Sequence, residues 1–421
     1  MAREYICRIV DNLLKSYLAS SGAVLIEGAK WCGKTWTGRH HAKSVLMMQD
    51  PDFVEENILA ATIKPSILLT GETPRLIDEW QVAPELWDAV RYEVDQRGEV
   101  GQFILTGSSV PGDKKILHSG IGRIARFRMR PLSLFESGDS NGQVSLDSLF
   151  KGETGVSAVS QLTIDDIASV IVRGGWPASI GVNETIGNRM AENYVEGVIN
   201  QDVSRVDGST RSPSKVRQLL KSLARNISTT ASSETIRRDI LASDETLTPP
   251  TLASYLDALE KIFVIENQPA WTPRLRSKTA LRTSAKRHFV DPSIATAVMR
   301  VTAQGLIKDL NTFGYLFESL CVRDLRIYAQ SIDGEIFHYR DKTDLEADAI
   351  ISLRDGRWAA VEVKLGSKQI DEGAENLLKL KDRIDETKMS SPSFLMVLTA
   401  SKYAFQRKDG IWVVPLGCLR N

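Results

Sequence analysis

The sequence predicts an α/β protein of more than one domain, on three observations. An apolar run, Ala23-Val24-Leu25-Ile26, leads into the glycine-bearing octapeptide Gly28-Ala29-Lys30-Trp31-Cys32-Gly33-Lys34-Thr35 and then into a segment that can turn helical. Two more short apolar runs end in polar groups: Leu76-Ile77 in Asp78-Glu79, and Phe103-Ile104-Leu105 in Thr106-Gly107-Ser108-Ser109. Far along the chain, residues 358 to 364 alternate as a strand that puts Glu362 and Lys364 on one face. At 421 residues the chain exceeds one ordinary core.

Composition bounds the classes of function. A hydrophobic fraction of 42% with 25% charged residues is that of a globular protein. The 53 basic and 53 acidic side chains cancel, so no global field draws the chain onto nucleic acid or membrane. Cys7, Cys32, Cys321 and Cys418 lack metal-ligand spacing, which fits a reducing compartment. No apolar run reaches membrane-spanning length and the N-terminus lacks a secretion signal, so the expectation is a cytoplasmic protein without a membrane partner.

In order, residues 3 to 20 carry Ile6, Ile9, Val10, Leu13, Leu14 and Leu18 at helical spacing and predict an amphipathic helix. The octapeptide then fits G-x-x-x-x-G-K-[ST] at every fixed position. Its glycines let backbone N–H groups curl toward phosphate oxygens, and the following helix points its positive end at the same anion. Residues 28 to 35 are therefore the candidate ATP-binding loop, with Lys34 reaching the β- and γ-phosphates and Thr35 offering its hydroxyl to Mg²⁺. Asp78, at a strand end, is placed to hold the metal, and Glu79 to orient or deprotonate the attacking water. Residues 84 to 97 predict a helix with Leu86, Trp87, Val90 and Val94 inward. Ser108 ends the next strand, between nucleotide and acid pair, as a sensor of the γ-phosphate. Arg123 is a candidate for stabilising transition-state charge, in cis or toward a neighbouring subunit.

Taken together, GAKWCGKT, RLIDEWQ, FILTGSS and GRIARFRMRPLSLFE resemble bacterial and archaeal AAA-type ATPases that carry a C-terminal nuclease-like domain. The resemblance implies a phosphate-loop parallel-sheet domain, nucleotide on Lys34 and Thr35, metal and water on Asp78 and Glu79, and Arg123 in a Gly-Arg element. Such relatives often assemble as rings, which leaves a homo-oligomer open.

Residues 138 to 160 read as a mobile connection, and Gly174-Gly175-Trp176-Pro177 as a turn similar to one in the same family. Residues 186 to 203 predict a helix in which Asp202 has no assignable chemistry. From 213 to 268, three short helices and an apolar run resemble a winged helix, a surface for DNA or a protein partner. Arg274, Arg276, Lys278, Arg282, Lys286 and Arg287 then follow without an acid among them, beside Trp271 and Phe289. This basic stretch, 274–287, is the candidate DNA-binding segment.

Gly314 to Tyr328 predicts a helix containing Glu318, and Asp348 lies on the strand before Glu362-Val363-Lys364. Two carboxylates and a lysine at a bent hairpin can hold Mg²⁺ and position water for phosphodiester attack. Glu318, Asp348, Glu362 and Lys364 resemble the PD-(D/E)XK nuclease core, with Asp348 and Glu362 as metal ligands and Glu346 as a fallback. The expected layout is a phosphate-loop domain at 1–135, a helical connection at 136–210, a winged-helix-like module at 211–270 and a restriction-endonuclease-like α/β domain at 271–421. The expected function is a Mg²⁺-dependent ATPase coupling nucleotide state to that last domain. The alternative is a nucleotide-dependent protein-binding switch with little hydrolysis and an inactive nuclease fold.

Overall fold

Strands buried on both faces read as unbroken apolar runs, and such runs organise the N-terminal third of the chain. The structure is a computed structural model describing residues 4–109, 118–153, 155, 157–206, 208–241, 247–272, 284–385, 387 and 389–421. Its first elements are α1 (Val10–Ser20), β1 (Ala23–Glu27), α2 (Lys34–His41), β2 (Ser44–Met47), α3 (Val54–Ile63), β3 (Arg75–Asp78), α4 (Glu85–Arg97), β4 (Phe103–Gly107) and β5 (Ile124–Arg128). The five strands form a parallel sheet in the order β2-β3-β4-β1-β5. Val24 and Ile26 pack with Leu14 of α1 on one face, while Leu25 and Leu105 pack with Leu86 and Trp87 of α4 on the other. Because the strands run in parallel, the ends of β1, β3 and β4 emerge along one edge, where open α/β sheets bind ligands.

The first helix starts later than its periodicity predicts. Residues 4 to 8 have no regular structure, because Glu136 takes both the Ile9 N–H (2.8 Å) and Arg8 Nε (2.9 Å). A side chain far along the sequence thus replaces what would have been a helical turn.

The middle region comprises β6 (Val144–Ser145), α5 (Leu146–Phe150), β7 (Ala158–Val159), α6 (Ile164–Arg173), α7 (Glu184–Gly197), a π-helical turn (Val198–Asp202), α8 (Val203–Arg205), α9 (Pro213–Arg225), α10 (Ser233–Leu241) and α11 (Pro249–Lys261). An antiparallel pair follows, β8 (Ile265–Gln268) with β9 (Lys286–Phe289). Next come α12 (Ser293–Met299), α13 (Ala303–Lys308), α14 (Leu310–Gln330), β10 (Gly334–Arg340), β11 (Glu346–Leu353), β12 (Trp358–Lys364), α15 (Ile370–Asp382), β13 (Leu395–Thr399), β14 (Tyr403–Gln406), β15 (Trp412–Pro415) and β16 (Leu419–Arg420).

The C-terminal sheet has seven strands in the order β10-β11-β12-β13-β15-β14-β7. β10, β11 and β12 form an antiparallel meander, and β12 pairs in parallel with β13. Apolar side chains of α14 pack with Ala349, Ile351 and Val361, whereas Leu377 and Leu380 of α15 pack with Ile350, Trp358 and Val397. The stretch read as a mobile connection is tied into this unit. β7 pairs with β14, β6 pairs with β16, and the Asn141 N–H donates to Gly417 O at 3.0 Å. Backbone groups that a loop would give to water are spent on strand pairing instead.

Two buried ionic groups join the regions. Arg323, 2% exposed, donates to Asp291 at 2.8 Å and to Asp324 at 2.7 Å. Asp291 also accepts from the Gly175 N–H and Asp324 from the Leu134 N–H, each at 2.9 Å. The Gly174-Gly175-Trp176-Pro177 turn therefore seats on Asp291, and it leaves no room for a side chain, since a Cβ on Gly175 would lie 2.2 Å from Leu132 O. The second group is Glu266 of β8, which pairs with Arg130, Arg128 and Arg326. Burial alone would raise the Glu266 pKa, but Arg130, Arg326 and Arg128 hold it well below the usual carboxylate range.

Arg323→Met would leave Asp291 and Asp324 buried without a counter-charge. The expected cost is about 3–5 kcal/mol of stability, seen as a lower urea midpoint at unchanged m-value. A midpoint equal to that of the parent chain would count against this role.

Candidate functional site

The octapeptide wraps the end of β1 as its spacing implies. Gly28 has φ 155°, and a Cβ there would sit 2.1 Å from Met129 O, so neither its conformation nor its surroundings admit a side chain. Gly33, at φ 106°, caps the N-terminus of α2. Lys34 is buried and folds back so that Nζ donates to Ala29 O at 2.8 Å, and Thr35 follows it in the first turn of the helix. Cys32 is fully buried, with Sγ 3.5 Å from Met129 O. Trp31 takes a left-handed backbone (φ 67°), is exposed, and sets its ring 5.9 Å from Tyr194.

Three contacts that the sequence did not foretell hold this loop. Arg8 donates to Cys32 O and to Arg130 O, each at 2.8 Å, bracing the loop against the chain after β5. Lys30 pairs with Asp202 at 2.5 Å, giving that residue of the π-helical turn a partner 172 positions away. Met129 O supplies the wall against Gly28. No local pattern signals any of these contacts.

Asp78 and Glu79 are organised from β4. Thr106 Oγ1 donates to Asp78 Oδ1 at 2.7 Å and accepts the Glu79 N–H at 3.0 Å. Glu79 itself is left-handed (φ 55°), and its Oε2 accepts from Ser108 Oγ at 3.0 Å and from Gln81 Nε2. Ser108 stands between loop and acid pair because β4 lies between β1 and β3. Thr106 ends the same apolar run, and its first polar side chain was the available clue.

Lys34, Thr35, Glu79 and Ser108 all line one cleft of about 1740 Å³, which Tyr194 and Asp202 also line. Arg123 does not reach it. Its carbonyl bonds the N–H of Ala23, at the start of β1, so it sits at the far edge of the parallel sheet. Five residues of strand put it roughly 16 Å from the phosphate-loop end. Its side chain pairs with Asp95 at 2.8 Å. Cis assistance by Arg123 is corrected by this geometry, which follows from β5 running parallel to β1.

The C-terminal candidates form a second centre, with an additional member. Lys286 of β9 is buried, with Nζ 2.7 Å from Glu318 Oε1 and 3.1 Å from Asp348 Oδ1. Asp348 Oδ2 accepts the Val363 N–H at 2.9 Å. Lys364 pairs with Glu362 at 3.3 Å and with Glu372 at 3.4 Å, while Glu362 Oε2 is buried without a partner. Glu346 turns away to Arg340 at 2.9 Å. Among the described residues no group of three or more His, Cys, Asp or Glu side chains is arranged to hold a metal ion. Of the two residues read as metal ligands, Asp348 turns one oxygen onto the Lys286 ammonium and Glu362 turns one onto Lys364. Burial and the nearby Asp348 raise the pKa of Glu362, and separately that of Glu318, to about 8, against the pull of Lys364 and Lys286 respectively.

The basic stretch is described only in part. Arg274, Arg276, Lys278 and Arg282 lie outside the described residues. Lys286 points inward, and Arg287 donates to Ala231 O and to Ser233 Oγ. Phe289 and Trp271 are buried, Trp271 at 4.8 Å from the Trp358 ring, so neither offers a face to a base.

Residues 20–137 match a family model described as AAA domain, and residues 164–305 and 313–419 match two described as domains of unknown function, DUF8612 and DUF4143. Among solved structures, the Walker-type ATPase PABY2304 of Pyrococcus abyssi aligns over 69% of this chain and 94% of its own, at 15% identity and a TM-score of 0.42. No curated protein matches the chain. The AAA-domain match, over the segment that carries the phosphate loop and the acid pair, supports an AAA-type P-loop ATPase. Among the described residues no helix is long and apolar enough to cross a membrane.

The raised pKa of Glu362 makes stability depend on pH. Between its ordinary 4.5 and about 8 the folded chain keeps a proton that the unfolded chain has released, so this group's contribution falls as pH rises through that window. Glu362→Gln should therefore decline less in melting temperature across that window than the parent, with Glu318 left to act in the same direction. Parallel profiles would refute the assignment.

Proposed function

We propose that the chain is a Mg²⁺-dependent ATPase in which the N-terminal sheet hydrolyses ATP and passes its nucleotide state to the C-terminal region. The observation that carries this reading is the convergence of Lys34, Thr35, Glu79 and Ser108 on one cleft at the ends of β1, β3 and β4. The donor set of one hydroxyl, Thr35, and one carboxylate, Asp78, is all oxygen, which suits Mg²⁺. When bound, the metal neutralises charge on the transferring phosphoryl group.

Lys34 would leave Ala29 O for the β- and γ-phosphates, an exchange of one acceptor for a more highly charged one. Glu79 would orient the attacking water and take its proton. Ser108 and Gln81 hold the Glu79 carboxylate in place, and Thr106 fixes the relation between Asp78 and Glu79 by bonding both. The nucleotide state would reach the rest of the chain along two routes, Lys30 to Asp202 and Arg130 to Glu266.

For the remaining regions, the proposal keeps the resemblances. Three helices, α9 to α11, with the β8–β9 pair, have the make-up of a winged helix, and helix α14, the meander β10-β11-β12, helix α15 and strand β13 follow the order of a restriction-endonuclease-like core. The lysine seated between Glu318 and Asp348 favours a binding role over cleavage, with a protein or DNA partner whose engagement follows ATP turnover. Sequence boundaries shift in this reading: 144–160 belongs with the C-terminal sheet, and β9 with the middle helices.

Lys34→Ala should lose nucleotide binding, measured with a fluorescent ATP analogue. Glu79→Gln should bind normally and turn over about 100-fold or more slowly. Parent-like hydrolysis by either variant would refute the reading, and a parent turnover no faster than buffer would select the non-hydrolysing switch.

A further inference from the structure

Sequence reasoning placed Lys286 among surface cations, yet its ammonium is the group around which the C-terminal carboxylates gather. Glu318 from α14 and Asp348 from β11 approach it at 2.7 and 3.1 Å, from separate elements of the C-terminal unit. The lysine belongs to neither element. It comes from β9, opposite Gln268 of β8, and Gln268 Nε2 donates to Phe337 O at 2.9 Å and Asp348 O at 2.8 Å, which pins the hairpin across β10 and β11. Beside this arrangement, Glu362 Oε2 is 1 buried acceptor that still lacks a donor.

A divalent ion bound here would take carboxylate oxygens at about 2.0–2.6 Å. Those of Glu318 and Asp348 are already turned onto the ammonium, and two cations sharing the spot would repel at short range. The residues of a nuclease-like centre are present, therefore, but in this conformation they do not fit the metal. We infer that Lys286 is the resident cation of the centre, a tethered ammonium that neutralises Glu318 and Asp348 and excludes divalent metal while it occupies them. The unpartnered Glu362 oxygen belongs to the latent site, as an acceptor that an entering metal would use. The inference rests on the restriction-endonuclease-like reading of the C-terminal region.

Mn²⁺ is the probe, titrated into the full chain without nucleotide and followed by electron paramagnetic resonance. The parent should show no bound Mn²⁺ that Asp348→Asn removes. Lys286→Met keeps the bulk of the stem without its charge and should gain a site of about tenfold or greater affinity, lost again when Asp348→Asn is added. Lys286→Gln replaces it should the first variant not fold. An Asp348-dependent Mn²⁺ site in the parent would overturn the inference, since the ammonium would then be no barrier. Folded Lys286 variants that still bind no Mn²⁺ would instead overturn the nuclease-like reading beneath it.

Discussion

Arg323 is the constraint on which the arrangement of the regions depends. A guanidinium buried to this degree is tolerable only with carboxylates on its donors, and Asp291 and Asp324 provide them from two different elements. Each carboxylate then reaches past the arginine to a backbone N–H, Asp291 to Gly175 and Asp324 to Leu134. The segment leaving the N-terminal sheet, the double-glycine turn, the end of β9 and helix α14 are thereby fixed to one charge cluster. Removing any one partner strands the others in a medium that cannot solvate them.

The same segment connects the glycine-bearing loop after β1 to the β8–β9 pair. Met129 touches the phosphate loop through its carbonyl, and Arg130, its neighbour, offers its own carbonyl to Arg8 while its side chain grips Glu266. Gln330 adds a bond to Arg130 and another to Arg128 O. A displacement of the loop at Gly28 is thus one residue along the chain from a buried ion group in another region. That is a contiguous path of packed and bonded atoms, which is the physical requirement for coupling.

What the sequence disclosed follows a simple division. Contacts fixed by local pattern were readable: the octapeptide with its glycines, the acid pair closing β3, the helix at 84–97, the alternation in 358–364 that became β12. Ser108 lies beside Glu79 because the strand order puts β4 between β1 and β3. The helix read over residues 3–20 begins only at Val10, because Glu136, more than a hundred positions away, takes the groups of the preceding turn. Asp202 looked idle because its partner Lys30 lies in a different region, and Lys286 looked like one of a run of surface cations because nothing near it in sequence announces Glu318 or Asp348. Arg123 satisfied a family pattern, but only the parallel register of β5 with β1 reveals which end of the sheet it occupies.

The pairing of β7 with β14 has a practical meaning for dissecting the chain. Tyr403 and Phe405 of β14 are exposed, and on the side away from β15 the strand's backbone is covered by two residues contributed from near position 158. A fragment cut anywhere between that point and the start of α14 would present an open, aromatic strand edge, the kind that recruits other chains into mixed sheets. The C-terminal sheet is therefore discontinuous in sequence, and fragments meant to isolate it must carry residues 140 to 160 alongside the last hundred or so, or else conceal the bared edge by other means.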